Sequence, residues 1–361
     1  MNNVGKAPID MDGAILALKG LYESYGYAHY KMSKFEEYDL YVRNKSFLVS
    51  NHIITFTDTD GKLMALKPDV TLSIVKNSPE SERGVRKVYY NENVYRVPRG
   101  ALSFKEIVQA GLECIGEIDG LCVCEVLLLA AKSLALISED YVLDVSHMGI
   151  VSSLADGIGL TARGKKQLLS CVGEKNIHGI DAVCLSEGID PARAEILKRL
   201  MVMGDNAQEM LDLLKDEECC EYARALAKTV QTVAATGGKI RIDFSVTDDM
   251  KYYSGIVFKG FVKGIPTSVL SGGQYDNLMR KMGKESGAIG FAVYLDLLGE
   301  LCSVADEYDA DVLVLYDAET DAGKLLALTD SLVREGKRIE TRREIPERAA
   351  YKEIADMRGN R

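Results

Sequence analysis

Apolar residues recur at helical spacing from Gly13 to Tyr25 (Ile15, Leu16, Leu18, Leu21, Tyr22), and Gly26 stands where such a helix would stop. The pattern then shortens. From Lys45 to Val75 it breaks into β-prone pieces, Phe47-Leu48-Val49, Ile53 to Thr57 and Leu63 to Leu66. Asp58-Thr59-Asp60-Gly61 supplies a hairpin turn between the last two. Pro68 ends that strand, and Asp69 to Lys76 predicts a helix start. Val85 to Arg96 and Gln109 to Glu117 read as a strand pair around a loop holding Pro98, Arg99 and Gly100. Asp119 to Ile137 predicts a mostly buried helix, and Tyr141 to Ser146 a strand.

From about residue 150 to 237 the chain becomes rich in Leu, Ala and Lys at helical period, with hardly a β signal, and this stretch ends at Gly237-Gly238. It reads as a helical insertion within a sheet domain. Strands resume over Ile240 to Val246, Gly255 to Phe261 and Thr267 to Leu270, and a helix is expected from Gly287 to Leu301. Beyond Asp309 the order is strand (Asp311 to Tyr316), helix (Ala322 to Arg334), strand (Arg338 to Thr341) and short helix (Glu347 to Met357). That βαβα order predicts a small unit with parallel pairing. The expected division is therefore 1–308, carrying the insertion, and 309–361, a short α/β unit that looks like an incomplete module.

The 361 residues, 47% of them hydrophobic, suffice for one large or two to three ordinary domains. A net charge of -10 argues against a dedicated nucleic-acid or membrane-surface protein, whose footprint is a basic patch. Eight cysteines lack the paired spacing of a zinc or redox motif, so free thiols in a reducing cytoplasm are expected, with no metal and no cofactor. The N-terminus shows no charged start followed by an apolar stretch. Runs such as Val126 to Ala131 are too short to span a bilayer.

Candidate chemistry gathers on three distant segments. Gln109, Gly111 and Glu113 alternate along one strand and so share a sheet face, placing a carboxylate and a carboxamide together. Glu113 suits an ammonium or an imidazole N–H, and Gln109 both donates and accepts. Tyr252, Tyr253 and Tyr275 offer aromatic walls with hydroxyl tips. Gly272-Gly273 lets backbone approach a ligand closely, or forms a bulge. Asp69 either caps a helix or takes an amino group. Glu113 has a blander reading too, as a structural partner of Arg96. Alternation with Tyr253 turns Tyr252 inward. His147, on an apolar background, reads as a core histidine.

Taken in order, these segments resemble the class II aminoacyl-tRNA synthetase core of the histidyl type, over roughly residues 8 to 302. Leu66-Lys67-Pro68-Asp69-Val70-Thr71 is similar to that family's Leu-Arg-Pro-Glu-Gly-Thr segment, whose acid grips the α-amino group. Tyr95-Arg96 resembles the start of motif 2, with its phosphate-binding arginine at Arg96. Gln109 and Glu113 match the histidine-pocket pair. Tyr252-Tyr253 matches the paired tyrosines of the histidine-specific loop, and Gly272-Gly273-Gln274-Tyr275-Asp276 the Gly-Gly-Arg-Tyr-Asp segment. The resemblance implies an α+β fold: a mainly antiparallel sheet flanked by helices, with the helical insertion and a short C-terminal anticodon-binding-like unit.

Departures from the family pattern bear on activity. Asp248-Asp249-Met250-Lys251 stands where a charging enzyme has Arg-Gly-Leu-Asp, and Tyr294-Leu295-Asp296-Leu297 puts a leucine at the motif 3 arginine. The motif 2 loop reads Val97-Pro98-Arg99-Gly100-Ala101-Leu102-Ser103, and Ser33 takes the motif 1 proline position. Two lost arginines cost roughly 3–6 kcal/mol of triphosphate binding, on the order of 10²- to 10⁴-fold. Arg99, Arg241 or Lys251 would have to reach in to restore it.

A retained pocket without the arginines resembles the regulatory-subunit family of ATP phosphoribosyltransferase, and Tyr-Tyr-Ser-Gly-Ile-Val-Phe favours that branch. The resemblance implies a cytoplasmic, non-catalytic homodimer within a hetero-oligomer. Its partner would be a short-form catalytic subunit and its effector L-histidine, with no tRNA. Histidine would contact Asp69, Arg96, Gln109, Glu113, Tyr252, Tyr253 and Tyr275. Two alternatives stay open, a divergent histidyl-tRNA synthetase and a stand-alone histidine sensor.

Overall fold

The computed structural model describes residues 11–48, 52–78, 84–97, 103–247, 252–300, 308–346 and 349–359. The chain divides into two compact units, Met1–Leu301 and Cys302–Arg361.

The first unit opens with α1 (Met11–Ser24), β1 (Ala28–His29), β2 (Phe35–Glu37) and α2 (Tyr38–Arg43). A hairpin of β3 (Thr55–Thr57) and β4 (Leu63–Leu66) joins β2 in a small antiparallel sheet. After α3 (Thr71–Lys76) come two long strands, β5 (Val85–Arg96) and β6 (Lys105–Gly116), then α4 (Gly120–Ile137) and β7 (Tyr141–His147). Six helices follow, α5 (Met148–Ile158), α6 (Ala162–Gly173), α7 (Ile177–Ser186), α8 (Glu195–Val202), α9 (Ala207–Leu214) and α10 (Cys220–Ala235). They fill the stretch of chain between β7 and the next strand. The chain returns through β8 (Ile240–Ile242), β9 (Ile256–Val262), β10 (Leu270–Gln274), α11 (Asp276–Lys281) and β11 (Gly287–Tyr294).

Eight strands make one sheet in the order β1-β5-β6-β11-β10-β9-β7-β8. Only β1/β5 and β7/β8 run parallel in it. Period-2 alternation along β6 decides which side each residue serves. Ala110, Leu112 and Cys114 turn into the large helical core with α1 and α4, leaving Gln109 and Glu113 on the opposite face. Helix α4 begins where Asp119 accepts the Cys122 N–H at 2.8 Å, answering one orphan amide of its first turn. By length and composition α4 is apolar enough to cross a membrane. Its Val126, Leu127, Leu129, Ala130 and Leu134 are instead fully buried in the core. Each large one contributes about 1.5–3 kcal/mol by leaving water, and Leu127→Ala would cost about 2–5 kcal/mol.

The second unit is a parallel three-stranded sheet, β13-β12-β14, built from β12 (Ala310–Leu315), β13 (Ile339–Arg342) and β14 (Tyr351–Asp356). Its helix α12 (Ala322–Arg334) packs Leu332 with Val312 and Val314.

Several local expectations are corrected. Gly287 to Leu301 is not a helix but β11 followed by a 3-10 turn, Leu295–Glu300. A central strand buried on both faces loses the alternation that marks exposed strands, so its apolar run reads as helical. Tyr351–Asp356 is a strand despite its helix-forming Lys, Glu and Ala, because pairing with β12 overrides local preference. Phe47 belongs to a 3-10 turn, Lys45–Phe47, rather than a strand, and Val49 lies outside the described residues. β8 ends at Ile242 because Asp243 folds the chain, accepting the Ser245 N–H and hydroxyl at 2.9 and 2.7 Å. β10 begins at Leu270, three residues later than expected, so Gly272 and Gly273 sit in regular register and form no bulge.

Candidate functional site

Cross-strand register builds the site floor. Glu113, Gly290 and Gly273 stand in one row across β6, β11 and β10. The next row runs Tyr90, Gly111, Ala292, Ser271, Lys259 from β5 to β9. Gln109 and Tyr294 oppose each other in a third. Opposed residues share a face, and the small ones at the centre leave a trough. The cavity above it measures about 470 Å³, with walls of Asp69, Thr71, Tyr252, Tyr253, Tyr275 and Arg96.

Glu113 is buried, and hydroxyls serve both its oxygens. Thr71 donates to Oε1 at 2.7 Å and Tyr275 to Oε2 at 2.5 Å. Burial pushes its carboxyl up to about 8, the two hydroxyl bonds pull it back in part, and the nearby Asp69 charge adds to the rise. Gly290 lies directly beneath. A Cβ there would strike Glu113 Oε2 and the Leu112 carbonyl, so glycine is what lets the carboxylate lie flat on the sheet.

Asp69 does two things at once. Its Oδ1 accepts the Leu72 N–H at 2.8 Å, capping α3, and the residue also lines the cavity. Burial raises its carboxyl against the lowering effects of that amide bond and the Arg96 charge. Arg96 thus stands near Asp69, its guanidinium carbon 6.0 Å from the Tyr294 ring centre. The bland pairing of Arg96 with Glu113 is not what forms; Thr71 and Tyr275 hold that carboxylate.

Tyr252 and Tyr253 precede β9 in a turn, so strand alternation does not apply and the inward reading of Tyr252 is corrected. Both line the cavity. Their rings meet at 4.7 Å and 63°, with Tyr275 6.0 Å and Phe47 5.9 Å from Tyr252. Gln274 holds this turn, its side-chain oxygen accepting the Ile256 N–H at 2.9 Å while its carbonyl takes the Ser254 N–H at 2.9 Å. Gly272 and Gly273 do not line the cavity. The close approach that Gly273 permits is that of the Tyr253 ring, which a Cβ would meet at 2.6 Å, and beside Gly272 it is Phe291 and Phe258 that crowd in.

The alternation rule applied once more would have found three residues that the sequence reading missed. Tyr90 opposes Gly111, Ser271 lies two before Gly273, and Tyr294 opposes Gln109. Lys259, a lone charge in an apolar strand, was a visible signal as well. Of the compensating cations, Arg241 is engaged elsewhere, giving Nε and a terminal nitrogen to the two oxygens of Asp144 at 2.5 and 3.0 Å. Arg99 and Lys251 lie outside the described residues, as do 98–102 of the motif 2 loop and Asp248-Asp249-Met250. Leu297 packs against the helical core, away from the cavity. Ser33 accepts the Phe35 N–H at 3.3 Å on an exposed surface. His147 caps α5, its Nδ1 accepting the Gly149 N–H at 3.1 Å, and burial lowers its pKa to about 4. No group of three or more His, Cys, Asp or Glu able to hold a metal ion occurs among the described residues.

Chemically the trough can take a small molecule with N–H or cationic groups toward Glu113 and Asp69, a flat ring among tyrosines, and an anionic group toward Arg96 and Lys259. Comparison with known proteins agrees with this geometry. The histidyl-tRNA synthetase family model matches residues 12–298. An ATP phosphoribosyltransferase regulatory subunit from Alkaliphilus metalliredigens is 27% identical over 75% of this chain and 71% of its own length. A solved structure from Bacillus halodurans, described as an ATP phosphoribosyltransferase regulatory subunit/histidyl-tRNA synthetase, superposes with a TM-score of 0.76 at 21% identity, covering 97% of this chain and 94% of that one. A chain of an ATP phosphoribosyl transferase complex from Thermotoga maritima matches with a TM-score of 0.64 at 17% identity, over 80% and 97%. These likenesses establish the class II synthetase-like fold.

Proposed function

The chain belongs to the histidyl-tRNA synthetase family, and from that premise we propose that it is the non-catalytic regulatory subunit of ATP phosphoribosyltransferase, with histidine as the ligand of its cavity. One observation carries the reading. Asp69, Thr71, Glu113 and the tyrosines stand together around one cavity, while Leu297, where the resemblance puts a nucleotide-binding arginine, is a half-buried apolar residue packed against the helical core. The relative named as a regulatory subunit and the fold shared with a phosphoribosyl transferase complex support the same role.

In this reading the histidine ammonium meets Asp69 and an imidazole N–H meets Glu113. An N–H donor against Glu113 favours its ionised form, so binding releases a proton near neutral pH. Residues 309–361 are taken as the anticodon-binding-like unit, and the partner is a short-form catalytic subunit. Histidine would shift the complex only through different affinity for its two arrangements.

The test mixes the chain with such a catalytic subunit and measures phosphoribosyl transfer to ATP. The mixture should be active, the chain alone inactive, and histidine should inhibit. Robust charging of tRNA with histidine by the chain alone would overturn the proposal.

A further inference from the structure

The hydrogen-bonding groups of the trough are unevenly engaged. Glu113 is held by Thr71 and Tyr275, and the Ser271 and Tyr294 hydroxyls lie 2.7 Å from each other. Tyr90 and Gln109 line the same cavity and are 2% and 5% exposed. Among the described residues no hydrogen bond engages the Tyr90 hydroxyl or the Gln109 amide. A buried polar group without a partner is costly until a ligand supplies one.

Strand register brings the two together. Tyr90 on β5 opposes Gly111 on β6, and a Cβ on Gly111 would meet the Tyr90 hydroxyl at 2.5 Å. The hydroxyl therefore stands where a Gly111 side chain would, between Gln109 and Glu113. Glu113 leans away toward β11, with Oε2 over Gly290. Gln109 starts two residues from Gly111, about 7 Å at strand rise. Its side chain is long enough to bring the amide oxygen within about 4.5 Å of the hydroxyl, the spacing of two acceptors around one ammonium. Burial first, then the Glu113 and Asp69 charges, hold the Tyr90 phenol well above its ordinary range. It stays neutral, and its oxygen accepts in surroundings that favour a cation.

An ammonium has three N–H donors to place. We propose that Tyr90 receives one of them, beside Asp69 and Gln109, and so selects ligands that carry a free α-amino group. The inference rests on the histidine reading and deepens it, adding to the acid of the site a neutral hydroxyl that counts the hydrogens on the ligand's nitrogen.

Titration calorimetry with histidine and with imidazolepropionate, which keeps the ring and carboxylate but lacks the amino group, separates the outcomes. The intact chain should bind histidine more tightly than imidazolepropionate. Tyr90→Phe should weaken histidine roughly ten- to hundred-fold, the loss of one charged hydrogen bond, and leave imidazolepropionate unchanged. An unchanged urea midpoint is a second control on folding, and it decides where imidazolepropionate binds too weakly to titrate. Equal affinities for histidine in the intact chain and Tyr90→Phe, or an equal loss for both ligands, would overturn the assignment while leaving the histidine reading standing. An intact chain that binds neither ligand would overturn both.

Discussion

Asp144 near the edge of the large sheet and Glu113 near its centre are both buried carboxylates, 4% and 2% exposed. They are held in opposite ways. Asp144 gives both oxygens to the Arg241 guanidinium in a two-pronged ion pair. Glu113 gives its oxygens to the neutral hydroxyls of Thr71 and Tyr275. Burial pushes the central carboxyl up to about 8, and the hydroxyls, which satisfy its hydrogen bonds without neutralising a charge, bring it back only in part. A closed ion pair is architecture. A buried acid answered by hydroxyls alone is prepared for a cation brought from outside.

The largest expected effect is on pH-dependent stability. Glu113 has its carboxyl raised from 4.5 to about 8, so across that window the folded chain holds a proton that the unfolded chain has released. The stabilisation is fully present below pH 4.5 and is lost as pH rises through about 8. The loss should be on the order of 3–5 kcal/mol. Denaturant titrations from pH 4.5 to 8.5 should show this decline in the native chain and a flatter profile in Glu113→Gln. Identical profiles would mean that the central carboxylate is as well neutralised as Asp144.

Next in size, Gly290→Ala should cost about 1–3 kcal/mol by overpacking, since its Cβ would collide with Glu113 Oε2 and the Leu112 carbonyl. Urea unfolding measures the cost, and histidine affinity should fall with it. An unperturbed variant would show that the carboxylate does not rest on Gly290. Third, Glu113→Gln should weaken histidine roughly ten- to hundred-fold by calorimetry, whereas Arg241→Met should leave it unchanged. The smallest effect is that of Arg241→Met combined with Asp144→Asn on stability, about 1 kcal/mol, because the double change leaves no buried charge unpaired and the Arg241 end of the pair is half exposed and screened. A loss of histidine affinity in this variant would couple the two regions that the comparison holds apart.

Much of this was legible in the sequence where a period or a motif was clean. Alternation placed Gln109 and Glu113 together, and the helical insertion followed from its 3.6-residue pattern. Legibility failed where burial was symmetric. β11 is covered on both faces, so its run of Gly, Ala, Ile, Phe and Val carried no alternation to read. It failed again where tertiary pairing decided, as in β14. In the site, alternation misplaces Tyr252 because that residue lies in a turn and not in a strand, and the role of Thr71 is hidden because a hydroxyl's partner is set by folding. Gln274 stands where the resemblance has an arginine, and its clasp on Ile256 emerges only from the paired strands.

The six helices α5 to α10 leave the sheet at the end of β7 and re-enter it at β8, its parallel neighbour. Both points of attachment lie at one margin, and the strands that carry the cradle are β5, β6, β9, β10 and β11. A helical insertion sewn to one selvedge in this way thickens the backing of the sheet through a shared core, while none of the residues lining the trough comes from it.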